Sequence, residues 1–306
     1  MAAAFDIVVA GAGIAGLTAG MEAARLGRKT LILTGGVFGG HLLSIEKIDG
    51  YPGFPDGVAG YELVPLTQGQ AVEAGAELAM TEITALDPDG DNWRVTAGNG
   101  DYLARAVIIA TGTGLKTLDI PGEERLRGKG VSHCASCDAP LLRDRPVAVV
   151  GGGDSALQEA LTLAGAASRV TILHRGDGLS GQAAYRARVE ANSKIDIRFN
   201  SAIAEIVGDG VVSGVRLQGS GEVVNVDGVF IYVGLRPETT FLADRLDLSD
   251  SGHIKTDNAL RTGLKGVFAA GTVREGAAGR AVAAAGDGTL AAVSADRYLA
   301  DGGWSA

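Results

Sequence analysis

The sequence predicts an α/β protein of two Rossmann-like dinucleotide-binding units, and three observations carry the prediction. An apolar run passes through a glycine-rich turn into an Ala/Leu-rich helix twice, first over Phe5 to Gly27 and again from Arg145 onward. A second apolar run, "KTLILT" or "RVTIL", follows each helix and completes a β-α-β reading. These runs are rich in Val and Ile without polar alternation, which suits strands buried on both faces of a parallel sheet.

The elements follow in order. The first turn, Gly11-Ala12-Gly13-Ile14-Ala15-Gly16, sits between strand and helix. Its first Gly allows the turn, the second lets a pyrophosphate approach the backbone, and the third brings helix and strand together. The helix N-terminus supplies free N–H groups for the phosphates. A strand-rich stretch follows, with turn signals at Asp87-Pro88-Asp89-Gly90 and Gly98-Asn99-Gly100. The second turn, Gly151-Gly152-Gly153-Asp154-Ser155-Ala156, repeats the first with Ala in the third place, and a second strand-rich stretch runs to Pro237. Two such turns in one chain point to two nucleotides with electrons passing between them. The remaining tail reads as a short strand, a Gly-rich loop and a long helix; it is too small to fold alone and must pack onto one of the units.

Composition bounds the rest. A chain of 306 residues suggests two domains. Its 47 Gly against 8 Pro cluster at the ends of apolar runs, where tight turns need them. A net charge of −9 without blocks of like charge recommends neither a nucleic acid nor an anionic membrane as partner. The opening "MAAAFDIVVAGAGIAG" lacks the basic start of a signal peptide, and no run approaches a membrane span. A cytoplasmic location is expected, where a lasting structural disulfide is disfavoured.

Both cysteines lie in "HCASCD", His133 to Asp138. A metal half-site, a structural crosslink and a redox couple are all physically available. Zinc wants four ligands, and His41, His174 and His253 are scattered, so no metal site is expected. A Cys-x-x-Cys beside β-α-β units is a redox signature. Asp138 can then exchange a proton with the leaving sulfur, or it stabilises a turn. His133 reads as a neutral bystander to Cys134. Tyr51 and Phe54 pack either near a ligand or on their own turn.

"GAGIAGLTAG", "GGHLLSIEKIDGYPGFPDGVAG", "ATGTG", "IPGEERLRGKGVSHCASCD", "VAVVGGGDSALQEALTLAG", "VTILHR", "DGVFIYVGLRPET" and "GVFAAG" together resemble the low-molecular-weight thioredoxin reductases nearly end to end. The resemblance implies a three-layer ββα architecture in which an NAD(P)-binding domain, residues 116–245, is inserted into an FAD-binding domain, residues 1–115 and 246–306. It implies FAD held by Gly11, Gly13, Ala15, Gly16, Gly39, Gly40, His41, Ala110, Thr111, Gly112, Gly271, Thr272, Arg280 and Ala281. It implies NADPH or NADH at Gly151, Gly153, Asp154, Ser155, Ala156, His174 and Arg175. Electrons would pass from the nucleotide through FAD to a Cys134–Cys137 disulfide, with Asp138 as proton donor, and on to thioredoxin or another small disulfide partner. Cys137 would lie nearer the flavin and Cys134 would attack the partner. Hinges near Gly112 to Gly114 and Ala243 to Leu248 would let one domain rotate, and the enzyme would be a homodimer.

The sequence departs from the family in places. The nicotinamide-side pattern H-R-R-x-x-x-R reads "HRGDGLSG": Arg175 stays while Gly176 and Ser180 replace two arginines that grip a 2′-phosphate. The tail Gly-Asp reads Gly271-Thr272, and a side-chain amide before "YPG" becomes Gly50. Arg280 either favours an anionic reduced flavin or is a surface arginine. Thr34 offers no carboxylate to an FAD ribose. These departures motivate two competing readings: a related enzyme fed by ferredoxin or another flavoprotein or run as a dithiol oxidase, and a non-catalytic flavin sensor.

Overall fold

The computed structural model describes residues 2–36, 38–242 and 245–304. The chain divides into two compact units, residues 1–114 with 236–306, and residues 115–235.

In the first unit, β1 (Ala3–Ala10) leads into α1 (Ile14–Arg25) and β2 (Thr30–Leu33); α2 (Gly60–Glu73) then returns the chain to β3 (Glu77–Ala79). The antiparallel strands β4 (Ile83–Asp89), β5 (Asn92–Ala97) and β6 (Gly100–Ile109) follow, and β7 (Thr113–Leu115) leaves the unit. Strands run in the order β3-β2-β1-β6-β5-β4, with β1 parallel to both β2 and β6. Ile7 and Val9 enter one core cluster, while Val8 and Ala10 enter the cluster on the opposite face. That two-sided burial is why β1 carries no polar alternation. Pro88 lies within β4 opposite Trp93, so the hairpin turns at Gly90-Asp91, tighter than the four-residue signal suggested.

The second unit repeats the plan. β8 (Val131–Ser132) precedes the one-turn helix α3 (Ala135–Asp138); β9 (Pro146–Val150), α4 (Asp154–Ala164), β10 (Arg169–Leu173), α5 (Ala183–Glu190) and β11 (Ile195–Arg198) follow. A small antiparallel sheet, β12 (Ile203–Val207), β13 (Gly214–Leu217) and β14 (Val223–Val224), leads to β15 (Gly228–Ile231). The main sheet is parallel in the order β11-β10-β9-β15-β8. Glu123, 3% exposed, accepts backbone N–H bonds from Leu118 and Asp119 at 2.8–3.1 Å and so fixes the entry loop.

The chain returns through β16 (Leu235–Pro237), which pairs with β7. The resemblance implies a return near residue 246; the first unit resumes at Arg236, and Phe241, Leu242 and Leu246 pack into its core with Val8, Leu33 and Val107. Ala243, where the second expected hinge begins, lies outside the described residues. β17 (Val267–Ala269) then pairs in parallel with the second half of β6, whose first half pairs with β5, and α6 (Ala281–Asp301) packs on α1. The orphan tail therefore completes the first sheet and covers its helix.

Candidate active site

The first glycine turn is closed by parts of the chain far apart in sequence. A Cβ on Gly11 would sit 2.3 Å from the Ala110 carbonyl oxygen, and one on Gly16 would sit 1.8 Å from that of Gly11. Gly13 instead faces open space, with nothing within 4 Å of where a Cβ would go, and the α1 N-terminus that it begins has no side-chain cap. The α1 N–H groups are thus left for a ligand. Gly40 lies beside Gly13, 3.8 Å from its Cα to an added Cβ, and places His41 at the rim, where burial lowers the imidazole pKa and favours the neutral ring.

Ala15 meets the tail loop at Gly271, and Gly112 meets Thr272. The Thr113 and Thr272 hydroxyls lie 3.2 Å apart. The structure therefore gathers Gly11, Gly13, Ala15, Gly16, Gly40, Ala110, Thr111, Gly112, Gly271 and Thr272 around one turn. Arg280 and Ala281 lie at the start of α6, and the Arg280 side chain is exposed. Tyr51 and Phe54 pack edge to face, 6.0 Å apart, in a small cluster with Ile14, Val58 and Leu63. Thr34 is buried, and its hydroxyl donates to the Gly35 carbonyl.

Sequence reasoning missed what pins the tail loop. Asp287, on α6, accepts the Gly271 N–H at 3.1 Å and forms a bidentate ion pair with Arg274 at 2.6 and 2.9 Å. Both partners are mostly buried, at 14% and 18% exposure. A lone Asp in the apolar stretch "AVAAAGDGTLAA" was the available signal, since a charge there needs a partner.

The second turn is covered by the segment that follows β10. Ser180 N–H, Ser180 hydroxyl and Gly181 N–H all donate to the Gly152 carbonyl at 2.9–3.3 Å. Asp154 accepts from the Gln182 backbone and side-chain amides at 2.6 and 3.2 Å. The His174 ring lies over Gly152, where a Cβ would come within 2.5 Å of Nδ1, and also against Gly176. Arg175 is exposed beside it. Gly153 begins α4 without a side-chain cap, and Gly151, Asp154, Ser155 and Ala156 lie beside it at the turn and in the first turn of the helix.

Cys134 and Cys137 are joined in a disulfide at the start of α3, in this same unit. Ser132 holds the loop: its hydroxyl accepts the Cys134 N–H at 3.0 Å, while the Cys137 N–H points at Cys134 Sγ, 3.3 Å away. Cys137 is exposed, whereas Cys134 and Asp138 are half-buried. His133 Nδ1 lies 3.0 Å from the Ile231 carbonyl, an anchor for the loop rather than a partner of the sulfur.

The sequence profile of the pyridine nucleotide-disulphide oxidoreductases matches residues 5–288. The chain belongs to that family. It is 42% identical to the thioredoxin reductase of Listeria monocytogenes, over 96% of this chain and 94% of the relative, and 39% identical to that of Mycolicibacterium smegmatis over 97% of each. The crystal structure of Lactococcus lactis thioredoxin reductase superposes with a TM-score of 0.92 at 37% identity, covering 96% of this chain and 99% of that one. The oxidoreductase is thus an FAD-dependent, nicotinamide-linked enzyme of the thioredoxin reductase type with a Cys134–Cys137 centre. These likenesses favour the disulfide reductase over the oxidase, ferredoxin-fed and sensor readings. The open, uncapped start of α1 fits a pyrophosphate, so the residues present fit FAD.

Proposed function

We propose that the oxidoreductase reduces the disulfide of a thioredoxin-like protein at the expense of a nicotinamide nucleotide. The observation that carries this reading is the Cys134–Cys137 bond, half-exposed on the one-turn helix of the unit that also bears the second glycine turn. Gly11, Gly13, Ala15, Gly16, Gly39 to His41, Ala110 to Gly112, Gly271, Thr272, Arg280 and Ala281 would hold FAD. Gly151, Gly153 to Ala156, His174 and Arg175 would hold the nucleotide. When bound, FAD supplies a two-electron carrier between nucleotide and disulfide.

Two electrons open the S–S bond to one thiolate and one thiol, and Asp138 exchanges the proton that the pair requires. The Cys137 N–H already points at Cys134 Sγ and would stabilise a thiolate there. Cys134 would then attack the partner's disulfide, forming a mixed disulfide that Cys137 resolves, so the chain's bond re-forms as the partner's opens.

The donor is read as either NADH or NADPH. Within residues 174–182 Arg175 is the lone arginine or lysine, and on β11 nearby Arg198 is held bidentately by Glu222 at 2.8 and 2.9 Å. No carboxylate ends β10 to select a ribose hydroxyl. A homodimer working in the cytoplasm completes the proposal; sedimentation would read its mass, and no described helix is long and apolar enough to cross a membrane. The test is anaerobic mixing of the FAD-loaded enzyme with each nucleotide. Bleaching of the flavin by both supports the reading; an oxidised flavin after both contradicts it.

A further inference from the structure

Tyr232 follows β15 and is 6% exposed. Its two ends touch the two functional parts of the second unit. The backbone side is fixed to the nucleotide turn: Tyr232 N–H donates to the Val150 carbonyl at 2.8 Å, and a Cβ on Gly151 would fall 2.3 Å from the Tyr232 carbonyl oxygen. The hydroxyl reaches the redox loop, where it accepts the N–H of Ala135 at 3.2 Å. Ala135 lies between the two cysteines and is fully buried, so in the folded protein its N–H is satisfied by that hydroxyl and not by bulk solvent.

We propose that Tyr232 is a positioning residue for the disulfide, its hydroxyl holding Ala135 so that the Cys137 N–H stays aimed at Cys134 Sγ after the S–S bond has opened. While the bond is closed, the covalent link itself holds the two sulfurs. In the disulfide form the Cys137 N–H lies 3.3 Å and the Ser136 hydroxyl 3.5 Å from Cys134 Sγ, and both would remain in place to stabilise a thiolate there. The Tyr232 hydroxyl therefore favours the reduced form by stabilising the Cys134 thiolate. Burial raises the Tyr232 pKa first, and the charges of Glu159 and Asp138 raise it further, so the group is a neutral tether and not a proton source. Glu159 and Asp138 are thus the carboxyl groups near the hydroxyl, and the His133 ring sits at the Ile231 carbonyl.

The inference rests on Cys134–Cys137 being the redox centre, but its test needs neither FAD reduction nor a partner. In the exchange with dithiothreitol the protein disulfide takes two electrons and two protons, and the reagent closes to its cyclic disulfide. Tyr232→Phe removes one oxygen and keeps the ring. The equilibrium ratio of dithiol to disulfide at a fixed reagent ratio should fall about three- to tenfold, the worth of one net hydrogen bond. With Cys137→Ser as background, the pH profile of Cys134 alkylation should move upward in the Tyr232→Phe protein. Amide exchange of the unsubstituted oxidised protein gives a reading that needs no Tyr232 variant: the Ala135 N–H should be strongly protected. A purely structural tyrosine would lower the melting temperature while leaving equilibrium and alkylation profile in place, and that result, or a fast-exchanging Ala135 amide, overturns the proposal. Failure of the unsubstituted disulfide to exchange at all would overturn the redox reading beneath it.

Discussion

The two glycine turns begin from the same pattern and are finished differently. The first is enclosed by loops from widely separated stretches: Ala110 closes on Gly11, Gly40 on Gly13, and the tail loop at Gly271 on Ala15, pinned in turn by Asp287. The second is covered by Ser180 to Gln182, acting on Gly152 and Asp154, by the His174 ring over Gly152, and by the Tyr232 carbonyl on Gly151. The turn is common to both, and the visible difference lies at the helix start: nothing comes within 4 Å of a Cβ on Gly13, whereas the Ser180 hydroxyl lies 3.9 Å from one on Gly153.

The largest expected effect breaks the relay without touching either turn. Cys137→Ser should keep its flavin and lose disulfide reduction by about a thousandfold or more, as removal of a covalent participant does; partner turnover with parallel flavin spectra checks this. Next comes the contrast between the turns. Gly16→Ala places a Cβ 1.8 Å from the Gly11 carbonyl, so we expect about 2–3 kcal/mol of destabilisation and loss of FAD. Its counterpart Ala156 already carries a Cβ, and Ala156→Gly should cost only about 1 kcal/mol. Denaturant unfolding of both, with flavin content, measures the gap; equal losses would remove the contrast.

Asp287→Ala strips Arg274 of its partner and frees the Gly271 N–H. It should weaken FAD binding about tenfold, read by flavin fluorescence, and leave nucleotide affinity in the second unit unchanged. The smallest effect is a pH limb. Burial holds the folded His41 pKa below its unfolded value of 6.5. The unfolded chain therefore binds more protons as pH falls through that value, and stability declines on the acid side. His41→Gln should flatten that part of a melting-temperature profile.

Much of the fold was legible because β1 and β9 are buried on both faces, which leaves apolar runs that no surface strand would carry. The tail's dependence on the first unit also followed, since one strand and one helix cannot bury a core alone. The return crossing was not legible: Leu235–Pro237 is three residues long, and only the packing of Phe241 and Leu242 shows which unit owns the segment after it. In the candidate site, the Cys-x-x-Cys and both turns announced themselves through spacing. Tyr232 did not, because its hydroxyl binds a backbone N–H 97 positions away and a backbone donor imposes no residue type at its own position; Asp287 showed only as a charge in an apolar stretch, with nothing to name Gly271 and Arg274 as its partners.

The most direct measurement is a count of thiols. FAD-loaded protein is mixed anaerobically with excess nicotinamide nucleotide, quenched in denaturant and titrated for free sulfhydryls. The account predicts two new thiols per chain, at Cys134 and Cys137, and none when FAD has been removed beforehand. A bleached flavin with the disulfide intact, or thiols appearing in FAD-free protein, would contradict it.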